Sequence, residues 1–171
     1  MTGADAPDGP GRRREPRTLK SRAIAMLARR EYSRAELFDR LLATGAGRDE
    51  CEALLGELAA LGFVSDARYA QALVRQRRGG HAQRAIVQAL KQKGVDDDTV
   101  RSALADHPVD DTAALAALWR RRFGRAPTDE REKARQVRFL QARGFALSAI
   151  LRLLRDPPAG DPGPSGTDEG A

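Results

Sequence analysis

Residues 63–94 read FVSDARYAQALVRQRRGGHAQRAIVQALKQKG and form the most distinctive part of the chain. Ser65 is typical of a helix N-cap, Gly79 and Gly80 interrupt the helix that follows, and Gly94 closes a second helix. The segment has one acidic residue, Asp66, and seven lysines or arginines: Arg68, Arg75, Arg77, Arg78, Arg84, Lys91 and Lys93. A helix pair with this excess of positive charge is expected to contact a polyanion, or a protein that already holds one.

The composition favours an all-α fold. The chain has 171 residues, of which 41% are hydrophobic and only 5% aromatic, and its formal net charge is +6. Ala, Leu, Arg and Glu are common and β-branched runs are few, which favours helices over strands. The length suits one compact domain or several small units that share a continuous core.

The single cysteine, Cys51, cannot form an internal disulfide, which fits a reducing cytoplasm. It occupies an apolar position of a predicted helix, so we expect a buried side chain rather than a reactive thiol. No apolar run is as long as a membrane span, and the N-terminus has no hydrophobic signal sequence. We therefore expect a cytoplasmic protein without membrane contact.

Helical periodicity and capping residues predict nine helices between two tails. Ser33 and Glu36 form the pattern of a capping box, in which the hydroxyl accepts from a backbone amide and the carboxylate reaches back to the N-cap amide. Residues 1–17 are predicted to be a disordered basic tail, and residues 156–171 a disordered acidic tail rich in proline and glycine. The predicted helices span about 19–30, 33–45, 51–61, 65–79, 82–93, 96–104, 110–123, 128–143 and 145–154.

An internal repeat is visible in the spacing of three glycines. Gly45, Gly94 and Gly144 lie 49 and 50 residues apart, and each has a leucine four residues before it and apolar residues six and ten residues after it. This spacing predicts tandem three-helix units at 18–62, 63–107 and 108–155 in an elongated, curved molecule. The alternative is an irregular α-helical bundle, since alanine-rich and leucine-rich helices produce some matches by chance.

Basic residues recur on the solvent faces of successive predicted helices. Arg84 and Lys91 lie opposite Ile86 and Leu90, and further basic clusters occur around residues 120–125 and 131–138. One such cluster is typical of a solvated face, but several together with the net charge favour a polyanion partner. We see no aromatic platform for stacking bases, so recognition is expected to involve phosphates and shape, without sequence preference.

The sequence has none of the common catalytic or cofactor motifs. His81 and His107 are the only histidines, and neither has cysteines or carboxylates at metal-ligand spacing. A phosphate-binding glycine loop and a nucleophile elbow are both missing. We therefore expect no enzymatic activity, no catalytic residue, no metal site and no cofactor.

Several segments resemble the RecX family, the regulators of the bacterial recombinase RecA. The similarity is carried by residues 63–70 (FVSDARYA), 90–95 (LKQKGV), 122–124 (RFG) and 132–145 (EKARQVRFLQARGF), and it extends in family order over about residues 19–154. Two positions depart from the family pattern: His81 replaces the usual aromatic in the glycine loop, and Ala85 replaces an arginine that here lies one residue earlier, at Arg84.

The resemblance implies a chain of three-helix repeats without catalytic activity that binds RecA filaments. It also implies that the protein inhibits RecA ATP hydrolysis, filament growth and strand exchange in recombination and repair. We also expect a monomer that binds single- and double-stranded DNA without sequence preference. Two alternatives are a sequence-independent DNA-binding protein that acts without RecA, and a helix-turn-helix regulator, although the basic residues are not gathered on one recognition helix. The residues predicted to contact RecA or DNA are Arg68, Arg75, Arg77, Arg78, Arg84, Lys91, Lys93, Arg122, Lys133, Arg135, Arg138 and Arg143.

Overall fold

The computed structural model describes residues 18–158, and this part of the chain contains nine helices and no strand. The predicted tail 1–17, and residues 159–171 of the predicted tail 156–171, lie outside the described residues. The all-α prediction is confirmed within these limits, and each predicted helix is present with its ends within a few residues of the predicted ones. The helices are α1 (Leu19–Leu27), α2 (Arg34–Leu42), α3 (Arg48–Ala60), α4 (Asp66–Arg77), α5 (Gln83–Gln92), α6 (Asp97–Asp106), α7 (Asp111–Arg122), α8 (Glu130–Gln141) and α9 (Leu147–Arg155).

Most helices begin at a polar residue whose side chain caps the first turn. The side chains of six N-cap residues accept hydrogen bonds from first-turn amides: Thr18, Ser33, Ser65, Asp96, Asp110 and Asp129. Such a cap satisfies a backbone amide that has no partner within the helix. Helices α3, α5 and α9 begin at Gly47, Ala82 and Ala146 without a side-chain cap of their own.

The predicted capping box at the start of α2 is only half formed. Ser33 Oγ accepts from the Glu36 amide at 3.1 Å, as predicted. The Glu36 carboxylate, however, accepts two hydrogen bonds from Arg30 instead of reaching back to the Ser33 amide. A charged guanidinium with two aligned donors is a stronger partner for a carboxylate than one neutral amide.

The helices group in three successive triplets, which we call the first unit (α1–α3), the second unit (α4–α6) and the third unit (α7–α9). The helix pairs with the most extensive packing all lie within one unit. Each unit has a cluster of buried apolar side chains, although Val64 packs into the first cluster and Ala82 into the third. Neighbouring units therefore exchange residues at their borders.

The repeat inferred from the glycine spacing is present in the buried positions. Leu41, Leu90 and Leu140, each four residues before its glycine, are completely buried. The positions six residues after the glycines, Cys51, Val100 and Ile150, are at most 3% exposed. Cys51 is thus a core side chain, and burial raises the pKa of its thiol, as expected for an unreactive cysteine. Gly45, Gly94 and Gly144 all have a positive φ, between 73° and 89°.

The first and second units meet at the N-terminus of α2. The Ser33 hydroxyl donates to the carbonyl of Lys93 at 2.7 Å, and the Asp66 carboxylate accepts from the Arg34 amide at 2.7 Å. One unit thus supplies a cap for a helix of the unit before it. The Lys93 carbonyl, which accepts from Ser33, belongs to the residue immediately before Gly94.

The second and third units meet in the same way at the N-terminus of α5. The Ala82 amide donates to the carbonyl of Arg143 at 3.0 Å, and the Asp111 carboxylate accepts from the Gln83 amide at 2.7 Å. Arg143 immediately precedes Gly144, just as Lys93 precedes Gly94. The unit junctions therefore repeat along the chain, and the cap that α5 lacks within its own unit comes from the third unit.

Candidate functional site

Three cations converge on the Glu36 carboxylate at the junction of the first and second units. Arg30 binds it through both terminal nitrogens at 2.7 and 3.1 Å, while Lys93 Nζ and Arg40 Nε lie 3.4 and 3.7 Å from Glu36 Oε1. The Arg30 guanidinium also stacks on the Tyr32 ring, 3.6 Å from its centroid. The hydrogen bonds from Arg30 hold the pKa of Glu36 below its usual range, so it is ionised at neutral pH. Positive charge exceeds negative charge at this junction.

Arg77, at the C-terminal end of α4, links this junction to the next one. It lines the same surface cavity as Arg30 and Lys93. On its other side it lies close enough to His81 to lower the pKa of the imidazole, together with Arg143 of the third unit. Burial of the ring is the largest cause of that decrease, and His81 Nδ1 is buried without a hydrogen-bond partner among the described residues. His81 is therefore a neutral side chain in the vicinity of Arg77 and Arg143.

Two further arginines lie near an aromatic pair in the third unit. Phe123 and Phe139 meet edge to face, with ring centroids 5.3 Å apart. The Arg143 guanidinium lies 3.7 Å from the Phe139 centroid and Arg122 lies 5.6 Å from it. Phe139 therefore packs against Phe123, and its remaining surface contacts the two cations.

These contacts define a cationic band that crosses all three units: Arg30, Lys93, Arg77, Arg143 and Arg122. The band begins beside α2, passes the C-terminal end of α4 and ends at the C-terminal end of α7. Four of its five residues are among the predicted contact residues. Sequence analysis missed Arg30, because the turn between α1 and α2 separates it from Glu36 and no helical spacing relates the two residues.

Four of the other predicted contact residues form ion pairs at the protein surface. The pairs are Arg68 with Glu31 at 2.9 Å, Lys91 with Asp97 at 2.8 Å, Lys133 with Glu130 at 3.2 Å and Arg135 with Glu132 at 3.3 Å. Exposed pairs of this kind contribute about 0 to 1 kcal/mol, so these cations can exchange their carboxylate for another anion.

The remaining predicted residues divide by their surroundings. Arg84 donates to the carbonyls of Gly144 and Phe145, so it joins the second unit to the third. Arg75 contacts His107 at 3.3 Å. Within residues 18–158, Arg78 and Arg138 are exposed and form no ion pair.

The described residues also limit the chemistry of the surface. No group of three or more His, Cys, Asp or Glu side chains within residues 18–158 is placed to hold a metal ion. None of the helices in this region has the length and apolar character required to cross a membrane. A surface of exchangeable cations is suited to binding phosphates or carboxylates.

Comparison with known proteins identifies the family. Residues 65–104 match the second three-helix domain of RecX, and residues 110–154 match the third. Regulatory protein RecX of Chromobacterium violaceum is 44% identical over 140 residues, covering 82% of this chain and 91% of that protein. Regulatory protein RecX of Ralstonia nicotianae is 39% identical over 142 residues, covering 83% and 89%.

Two crystal structures show the same fold. RecX from Lactobacillus salivarius superposes with a TM-score of 0.56 at 20% identity, covering 80% of this chain and 94% of that one. A second regulatory protein RecX superposes with a TM-score of 0.61 at 22% identity, covering 81% and 71%. The sequence matches and the tandem helical units together show that the chain belongs to the RecX family of regulatory proteins.

Proposed function

We propose that this protein binds RecA and RecA–DNA filaments and that it regulates them, mainly by inhibiting ATP hydrolysis, filament growth and strand exchange. The observation that carries the proposal is the cationic band, which crosses three units instead of occupying one helix. Membership of the RecX family supports RecA as the partner. The proposed site of action is the cytoplasm, and the proposed binding species is a monomer.

The geometry of the band favours an extended, negatively charged partner. Band residues come from three successive units, so several contacts can form at once along a polymer. Several weak contacts on one rigid chain give a high combined affinity through effective concentration. Phosphate contacts of this kind are independent of base sequence and weaken steeply as salt is raised.

We propose that the protein acts by binding and not by catalysis. Several acidic residues act as helix caps or ion-pair partners. Asp96, for example, accepts from the Thr99 amide, and Glu36 accepts from Arg30. Carboxylates with these roles are held by neighbouring donors, which leaves them unsuited to transferring protons. The single cysteine is a buried thiol with a raised pKa.

The test is RecA ATP hydrolysis on single-stranded DNA with substoichiometric amounts of the protein. We expect inhibition by the wild type, and much weaker inhibition by an R77Q/R78Q variant. A matched control is R48Q/R101Q, which removes the same charge from two exposed arginines that are paired with Glu52 and Asp98 outside the band. Loss of inhibition in both variants to the same extent, or no inhibition by the wild type at low salt, would refute the proposal.

The main alternative is a DNA-binding protein that acts without RecA. It is distinguished by measuring affinity for bare single-stranded DNA and for RecA-coated DNA at the same salt concentration. Tighter binding to the coated DNA supports RecA as a partner. Equal binding to both would favour the alternative, because the cationic band would then contact phosphates only.

A further inference from the structure

A cavity of about 470 Å³ opens at the junction of the first and second units. Its walls come from both units: Arg30 and Glu36 on one side, and Tyr69, Arg77 and Lys93 on the other. A hydrogen bond across the same junction, from the Ser33 hydroxyl to the Lys93 carbonyl, holds Lys93 at the cavity. The cavity is therefore complete only when the two units are docked.

The balance of charge around this cavity is positive. Two carboxylates line it, Glu31 and Glu36, and both are already occupied by cations. Arg68 binds Glu31, while Arg30, Lys93 and Arg40 share Glu36. Arg77 faces the same space and forms no ion pair within the described part of the chain. Arg30, Arg77 and Lys93 thus line the cavity with two carboxylates, which are also paired with Arg68 and Arg40 next to it. An anion that enters the cavity would meet an excess of positive charge.

The donors around the cavity have the chemistry of a phosphate site. A guanidinium offers paired N–H groups that match phosphate oxygens, and an ammonium adds a compact positive charge. Arg30 is held in place by the Tyr32 ring beneath it and by Glu36 beside it. Tyr69 adds a phenolic hydroxyl that is protonated at neutral pH, and burial raises its pKa further. Gln76 also lines the cavity, and its side-chain amide is a hydrogen-bond donor.

We propose that the cavity between the first and second units binds a phosphate group through Arg30, Arg77 and Lys93, with Tyr69 as a neutral donor. The inference rests on the proposed function and extends it, because it names a discrete site on the cationic band and the group that occupies it. The phosphate belongs either to a DNA strand or to a free nucleotide. A bound phosphate also joins the two units, since Arg30 and Lys93 lie on opposite sides of their junction.

The test compares K93Q and R77Q with the control R101Q, in which one exposed arginine outside the cavity loses the same charge. Binding to a fluorescent single-stranded oligonucleotide is measured by anisotropy at several salt concentrations. We expect the cavity variants to bind about tenfold more weakly, as for the loss of one charged hydrogen bond, and R101Q to bind like the wild type. We also expect the slope of log affinity against log salt to decrease by about 0.7 for each phosphate contact removed. Equal affinities and slopes in all three variants would overturn the proposal.

A second arm identifies the source of the phosphate and checks the cavity directly. Amide chemical shifts around residues 69–77 and 93 are followed while inorganic phosphate, ATP or an unlabelled oligonucleotide is added. Shifts with the oligonucleotide at lower concentration than with ATP assign the site to DNA, and the reverse order assigns it to a nucleotide. No shift with any of the three would refute the phosphate site.

The two proposals fail in distinguishable ways. If the wild type inhibits RecA and both R77Q and K93Q inhibit it equally well, the phosphate site is refuted and the proposed function is retained. If the wild type does not inhibit RecA but the chemical shifts still report phosphate in the cavity, the proposed regulation of RecA is refuted and the phosphate site is retained. Circular dichroism and the unfolding midpoint of each variant confirm that it is folded.

Discussion

Gly144 of the third unit faces Ala85 of α5 so closely that a Cβ atom on Gly144 would lie 2.6 Å from Ala85 Cβ. The preceding junction has the same relationship, because a Cβ atom on Gly94 would lie 2.7 Å from Ala35 Cβ. Gly45 has no preceding unit among the described residues, and a Cβ atom there would meet nothing within 4 Å. Two of the three repeated glycines thus serve both their own turn and the contact between units.

Replacing Gly144 with alanine is therefore expected to cost more stability than replacing Gly45. Both substitutions place a side chain at positive φ, which costs about 1 to 2 kcal/mol. Only G144A also overlaps a neighbour, which adds about 1 to 3 kcal/mol. Chemical denaturation of the two variants measures the difference.

The double variant A85G/G144A separates overlap from turn strain. Removing the Ala85 methyl group should recover part of the loss seen in G144A, although glycine within a helix itself costs about 1 kcal/mol. A double-mutant cycle in which the two changes simply add would show that the overlap is relieved elsewhere.

The carboxylates that cap a neighbouring unit should contribute to the docking of the units. Asp111 accepts from the Gln83 amide, 28 residues away in sequence, and Asp66 accepts from the Arg34 amide, 32 residues away. We expect D111A and D66A each to lower the free energy of unfolding by about 0.5 to 2 kcal/mol, as for other lost caps. The control D98A removes an equally negative, exposed residue of α6 whose partner is Arg101, and it should have a smaller effect. Equal losses in all three variants would mean that the effect is one of charge alone.

The hydrogen bond between Trp119 and Gln136 is the buried polar contact of the third core. Trp119 Nε1 donates to Gln136 Oε1 at 2.9 Å, and both side chains are at most 1% exposed. Q136L would leave the indole N–H without its partner inside the core, at a cost of about 1 to 3 kcal/mol. Trp119 is the only tryptophan, so its fluorescence reports unfolding and the local change together. An unchanged stability would show that the indole finds another acceptor.

The helices and the repeat could be predicted from the sequence, because both depend on local spacing. Leucines at helical intervals and glycines at chain reversals leave a signal that does not require knowledge of neighbouring units. Gly144 illustrates the limit: its positive φ follows from its position after a helix, but its contact with Ala85 depends on how two units dock.

The candidate site could be predicted only in part. The excess of positive charge is visible in the sequence, and it predicts Arg77 and Lys93 as contact residues. It also predicts Arg84, but in the structure the Arg84 side chain donates to the carbonyls of Gly144 and Phe145. A sequence shows which residues are charged, whereas the partner that occupies each charge depends on contacts between distant segments.

The Glu36 carboxylate should make the stability of the junction depend on acid. Its pKa is lowered mainly by the hydrogen bonds from Arg30, so the folded protein holds this proton less readily than the unfolded chain. The stabilisation is therefore fully present above the ordinary glutamate pKa of about 4.3, and it is lost as the pH falls through the lower pKa of the folded state. The difference in unfolding free energy between wild type and E36Q should shrink as the pH is lowered from 7 through this range. A difference that stays constant with pH would exclude the ion pairs as its cause.

The salt dependence of DNA binding should distinguish the cationic band from the overall positive charge. R77Q/R78Q and R48Q/R101Q carry the same net charge, so a general attraction to DNA would affect both variants equally. A localised contact predicts that only the first pair lowers the salt slope, by about 0.7 for each phosphate contact on single-stranded DNA. Arg77 lines the cavity with Arg30 and Lys93, and its carbonyl accepts from the His81 amide, next to the Ala82 amide that donates to Arg143. Its loss should therefore reduce affinity at every salt concentration, whereas a diffuse surface would give parallel lines for the two variants.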